Sequence, residues 1–114
     1  MAATSSFDYL AALAGADAEI VAIIGEDFLE IAPADLKQMH TAATAGDSET
    51  LGRLAHTYKG LAGNFRAQAL ADAAASLQAA CRNGYCEPRL LSAVEVELNA
   101  LCEALRSYLK SEQA

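Results

Sequence analysis

The stretch Leu51-Gly52-Arg53-Leu54-Ala55-His56-Thr57-Tyr58-Lys59-Gly60-Leu61-Ala62-Gly63-Asn64-Phe65 decides how this chain is read. At about 100° per residue, Leu51, Leu54, Tyr58, Leu61 and Phe65 fall within one sector, the mark of a helix with one face in a core. His56 lies diametrically opposite, and Gly52, Lys59, Gly60, Gly63 and Ala67 share its outward stripe. The histidine therefore faces water. A core histidine would sit on the apolar face, and an idle exposed one would be flanked by long charged side chains. This one has glycines one and two turns away. A mid-helix glycine costs roughly 1 kcal/mol relative to alanine, and the chain as a whole uses 27 alanines. Three glycines beside one histidine point to close approach of another molecule, with Gly52, near the helix start, the weakest of the three.

Working outward, turn signals divide the rest of the sequence into further helices. Ala45-Gly46-Asp47 is a stop and restart, glycine suiting a helix C-terminus and aspartate the next N-cap. The central helix is expected from about Ser48 to Arg66. Before it, Ile24, Phe28, Ala32, Leu36, Met39 and Ala43 repeat at three- and four-residue steps along one long segment, which Pro33 should bend or break. Gly15-Ala16-Asp17 ends a short first segment carrying Phe7, Leu10, Ala11 and Ala14, and offers Asp17 as the N-cap of the long one. After the central helix, Ala69 to Arg82 places Leu70, Ala74, Leu77 and Cys81 on one side and ends at Asn83-Gly84. The last segment runs from Pro88 through Leu91, Val94, Leu98, Leu101, Leu105, Tyr108 and Leu109. The expected fold is all-α: an antiparallel up-down four-helix bundle with a short additional N-terminal helix, residues 1–114 forming one domain.

Composition agrees with helices and narrows the function. Of the 114 residues 54% are apolar but only 6% aromatic, and alanine is the best helix former. A net charge of -7 opposes nucleic acid and anionic membranes, whose affinity comes from Lys and Arg neutralising phosphates. No apolar run approaches a bilayer span and the N-terminus lacks a signal-peptide pattern, so a soluble cytoplasmic protein is expected. Cys81, Cys86 and Cys102 form neither an even set nor a C-x-x-C pair and are read as packing residues. His40 sits at the rim of the long segment's apolar face and is read as a boundary side chain. A metal or haem site joining it to His56 is disfavoured, because His56 points away from the core and no ligand-spaced partner accompanies it.

The acidity is unevenly spread. Between Thr50 and Ala71 there is no acidic residue, while Arg53, Lys59 and Arg66 lie there. A neutral imidazole is a competent nucleophile near pH 7, and a lysine one turn along can attract an incoming phosphoryl group. These residues resemble the histidine phosphotransfer (HPt) domains of bacterial multistep phosphorelays. Ala55 to Phe65 is similar to that family's H-x-x-K-G signature followed by small residues. Phe28-Leu29-Glu30-Ile31-Ala32-Pro33-Ala34-Asp35-Leu36 and Ala45-Gly46-Asp47 resemble its usual approach to the helix. The sequence departs from the pattern at Leu61, where a small residue is common, and at Arg66, where glycine is. Leu61 is expected to face the core, and Arg66 to lie toward the lysine side of the histidine face, where it would bear on partner choice.

The resemblance implies phosphoryl relay without kinase activity. His56 would accept phosphate from a receiver aspartyl phosphate and pass it to another receiver aspartate, with Lys59 as the phosphoryl-facing cation. Gly52, Arg53, Gly60, Gly63 and Arg66 would form the docking surface. The partners implied are receiver domains of response regulators or of a hybrid histidine kinase, met by a monomer. The chain itself is expected to bind no cofactor, and any Mg2+ would belong to the receiver's carboxylates. No G-x-x-x-x-G-K or kinase glycine loop is present to hold ATP. Two other readings remain. A histidine-kinase dimerisation helix would resemble His-Glu/Asp-Leu-Arg-x-Pro rather than His56-Thr57-Tyr58-Lys59. A non-catalytic receiver-docking module would use the same face without carrying phosphate.

Overall fold

A computed structural model describes residues 18–113, with side-chain surroundings from residue 22 to residue 110. The expected short N-terminal helix and the Asp17 cap lie outside the described residues. Four helices follow in order: α1 (Ala18–Ala45), α2 (Ser48–Asn64), α3 (Gln68–Arg82) and α4 (Pro88–Gln113). Helix α1 packs against α2 and α4, and α3 against α2 and α4, so each helix has two principal neighbours. No strand occurs among the described residues.

The shared interior is built from the periodic positions. Phe28, Ala32, Met39, Leu51, Leu54, Tyr58, Phe65, Leu70, Ala74, Leu77, Cys81, Leu91, Val94, Leu98, Leu101, Leu105 and Leu109 are all buried, and no polar or charged residue is classed as buried among those described. One expectation on α1 is corrected. Ile24 is 47% exposed, while Gly25 beside it faces Leu105 and Leu109 of α4 and Phe28 packs on Tyr58 and Phe65, so the covered side of this part of α1 runs past Ile24. Leu61 packs against the core as expected but is half-buried, while Ala55 and Ala62 are fully buried, so the core face of α2 centres nearer the alanines. Helix α1 also runs through Pro33 without a break. The proline stands on the exposed side, where water can replace the missing backbone donor, and Phe28, Ala32 and Met39 hold the helix to the core on either side of it.

The first three helices end in the same way. The Asp47 N–H donates to the Ala42 carbonyl at 2.8 Å, that of Ala67 to Ala62 at 2.9 Å and that of Tyr85 to Ala80 at 3.0 Å. In each case the preceding residue is left-handed: Gly46 at φ 72°, Arg66 at φ 54° and Gly84 at φ 82°. These are Schellman endings, which favour glycine at that position because it has no Cβ to clash. Helix α2 therefore stops at Asn64, not Arg66, and the chain turns inward so that Ala67 is fully buried and not on the outward stripe. The Arg66 departure is a backbone matter before it is a docking one. Arg66→Gly is expected to stabilise the protein by about 0.5–1 kcal/mol, read as a higher urea midpoint at unchanged m-value.

At the opposite end of α2, Asp47 is the predicted N-cap, its side chain accepting from the Thr50 N–H at 3.1 Å. Hydrogen bonding from Thr50, side chain and then backbone, holds its carboxyl below the usual value, with Arg53 adding to the effect.

Candidate functional site

His56 is exposed on α2, set outward by the burial of Tyr58 two residues on. Tyr58 is fully buried and its hydroxyl donates to Asp35 Oδ2 on α1 at 2.6 Å. Burial first, and then the Asp35 hydrogen bond and charge, push its phenol above its ordinary range, so it stays neutral and donates. Phe28 meets the Tyr58 ring edge-on at 6.0 Å and the Phe65 ring at 5.2 Å. This aromatic cluster fixes the rotation of α2 about its axis, and with it the direction of the histidine.

The imidazole is not isolated on its stripe. The Gln78 amide nitrogen, on α3, lies 3.0 Å from His56 Nδ1, while Nε2 has no hydrogen-bond partner among the described residues. Sequence reasoning missed Gln78. The signal was present in the pair that closes the seam: a Cβ built on Gly52 would stand 3.0 Å from the Cys81 Cβ. With position 52 against 81, position 56 on α2 falls against 78 on α3, but only once those two helices are known to be neighbours.

The glycines divide into two kinds. Gly52 is half-buried, and the close approach of α2 to α3 at Cys81 gives an internal reason for its missing side chain. Gly60 and Gly63 are exposed, with nothing within 4 Å of an added Cβ. No internal contact explains them, in contrast to Gly52. Alanine at the two kinds of site should act in opposite directions on stability. Gly60→Ala is expected to stabilise by about 1 kcal/mol through helix propensity while slowing exchange with a receiver. Gly52→Ala should lose about 1 kcal/mol net, because the Cys81 Cβ is tied to backbone and cannot swing away. Thermal unfolding and transfer kinetics on both variants check the pair.

Arg53, Lys59 and Arg66 are all exposed around the histidine, joined by Arg82 at the end of α3. None of the four has a carboxylate within ion-pair distance among the described residues, where the pairs are His40–Glu95 and Arg106–Glu103. A positive face on an acidic protein is thus present, with Lys59 one turn beyond His56. His40 does not approach the site. Its Nε2 lies 2.9 Å from Glu95 Oε1, linking α1 to α4. Cys81 and Cys102 are buried free thiols, both pushed up mainly by burial, and Cys86 is a half-buried free one. Among the described residues no three His, Cys, Asp or Glu side chains gather as a metal site, and no helix is long and apolar enough to cross a membrane.

An exposed histidine on a bundle helix, followed one turn on by lysine and glycine, is the geometry that a family comparison can decide. The family model of the Hpt domain matches residues 24–111, most of the chain. The chain belongs to the Hpt domain family. Hpt domains carry phosphoryl groups on histidine in phosphorelays and work with the receiver domains of two-component systems. Comparison with curated proteins and with solved structures gave no match. The matched span includes all of α2 and α3, so both helices that build the site lie within the Hpt domain.

Proposed function

We propose that this chain is a receiver-to-receiver phosphoryl carrier: His56 accepts a phosphoryl group from an aspartyl phosphate on one receiver and delivers it to an aspartate on another. The observation that carries the reading is the exposed His56 ring with Nδ1 engaged by Gln78 and Nε2 left open, beside Lys59 and the bare Gly60. In the nucleophilic form Nδ1 carries the proton and Nε2 the lone pair. The Gln78 amide, turned over about its last bond, presents Oε1 to accept from Nδ1–H. Nε2 attacks phosphorus, the N–P bond forms, the acyl P–O bond breaks and the receiver carboxylate leaves with the electron pair. The ring's developing positive charge is stabilised through Nδ1–H, and Lys59 offsets charge on the phosphoryl oxygens. Reversal of the same steps on a second receiver returns the imidazole. Catalysis in this scheme is positioning and charge neutralisation, with Mg2+ held by the receiver.

The carrier is read as an up-down antiparallel bundle acting as a cytoplasmic monomer. Contacts that run in opposite senses support the antiparallel arrangement: His56 with Gln78 and Gly52 with Cys81 across α2 and α3, Tyr58 with Asp35 and Phe65 with Phe28 across α1 and α2. The test is a two-step chase. A receiver labelled on aspartate should give an acid-labile, base-stable label on this chain, which addition of an unlabelled second receiver then drains. Label that never reaches the chain, or that reaches it and cannot be drained by any receiver, overturns the proposal.

A further inference from the structure

Beside His56, a groove of about 560 Å³ runs along the seam of α2 and α3 toward the start of α2 and the end of α3. His56 and Gln78 form part of its wall, and beyond them Arg53 from α2 and Arg82 from α3 line it. Glu49 and Ser48 lie in the first turn of α2. The glutamate there favours the helix N-terminus electrostatically, as an anion in a first turn does. The two arginines have no such local role in common: they come from different helices, both are exposed and neither has an ion-pair partner among the described residues. The formal charge of the lining with neutral His56 is +1, on a chain whose net charge is -7.

We propose that this groove receives a carboxylate-bearing segment of the receiver, gripped by Arg53 and Arg82, and that the two arginines decide which receivers dock productively on His56. The inference rests on the carrier reading and adds to it where the partner lies and what chemistry selects it. A partner that presents an acyl phosphate with Mg2+ surrounds it with carboxylates, because that ion is held by carboxylate and phosphate oxygens. Its rim is therefore anionic. The guanidinium fork matches a carboxylate through two parallel hydrogen bonds, which a lysine cannot supply. Two forks on opposite walls fix the direction in which an acidic segment lies. Because His56 belongs to the same wall, a segment seated there places the rest of the receiver over the imidazole. Lys59, one turn further along α2, is left to the phosphoryl group.

The experiment uses the full chain, a receiver domain chosen from a panel because it binds this protein, and Arg53→Glu, Arg82→Glu and the double variant. Arg82→Gln is the conservative companion, since a glutamate in the last turn of α3 also opposes the helix dipole. Circular dichroism confirms the fold of each. Binding by calorimetry at low salt is expected to weaken about tenfold for each single reversal, with transfer falling in parallel. A glutamate-to-lysine or aspartate-to-lysine change on the receiver should restore binding to the reversed variant and weaken it to the wild type. In about 1 M salt, where charges are screened beyond about 3 Å, the variants and wild type should converge. Unchanged binding of the folded double variant at low salt overturns the groove proposal and leaves the carrier reading standing. Arginine-dependent binding by a wild type that accepts no label has the converse meaning: the groove is right and the carrier reading wrong.

Discussion

The His56→Gln protein is expected to fold like the wild type and to accept no phosphoryl group. Its side chain is exposed, outside the caps and outside the core, so the change in stability should stay within about 0.5 kcal/mol. Glutamine keeps a polar group near Gln78 but has no nitrogen lone pair comparable to imidazole, so no N–P bond can form. The expected result is complete loss of the acid-labile label at unchanged unfolding midpoint. Label that persists would move the chemistry elsewhere, with His40 the other histidine to examine. A large loss of stability would mean that the aromatic cluster under α2 sets a different rotation from the one described.

Tyr58→Ala is the second large expected effect, and it falls on folding. The ring is fully buried, is met edge-on by Phe28 and ties α2 to α1 through Asp35. Removing a buried aromatic side chain costs about 3–5 kcal/mol, a major part of the roughly 5–15 kcal/mol that holds a domain folded. Tyr58→Phe separates the components. It keeps the ring and deletes the hydroxyl that donates to a half-buried carboxylate, for an expected loss of about 1–2 kcal/mol. Urea unfolding of both variants measures the difference. Transfer by the phenylalanine variant should persist, since the ring alone keeps α2 turned so that His56 faces out; its loss would mean that the Asp35 hydrogen bond sets that rotation.

Much of this architecture was legible because helices declare themselves locally. Alanine content, three- and four-residue apolar steps and the Gly46-Asp47 punctuation placed all four described helices within a few residues. His56, Lys59 and Gly60 were legible for the same reason, being three positions on one helix. What stayed hidden depends on neighbours that are distant in sequence. Gln78 reaches His56 only through the register between α2 and α3, and Gly52 owes its bareness to Cys81 across that seam. Arg66 and Ala67 were misplaced for a different reason. Arginine at a left-handed position carries no local warning, so the helical projection was carried past the residue where α2 stops. Ile24 follows the core period yet stands exposed, because periodicity reports which side of a helix is apolar, and the covered side of this part of α1 runs through Gly25 and Phe28.

The contact between Gly52 and Cys81 also ties the two positions together over evolutionary drift. A methyl group gained at 52 presses on the Cys81 Cβ, which every residue except glycine keeps, so it is accommodated by a shift of α3 of a few tenths of an ångström or by glycine at 81. The separation they enforce is also the ruler for the His56–Gln78 hydrogen bond one turn away. Glycine at 81 with alanine at 52 would exchange the two sides of the contact and leave the imidazole where it is, whereas enlargement at 52 alone would prise the seam apart and detune a residue it never touches.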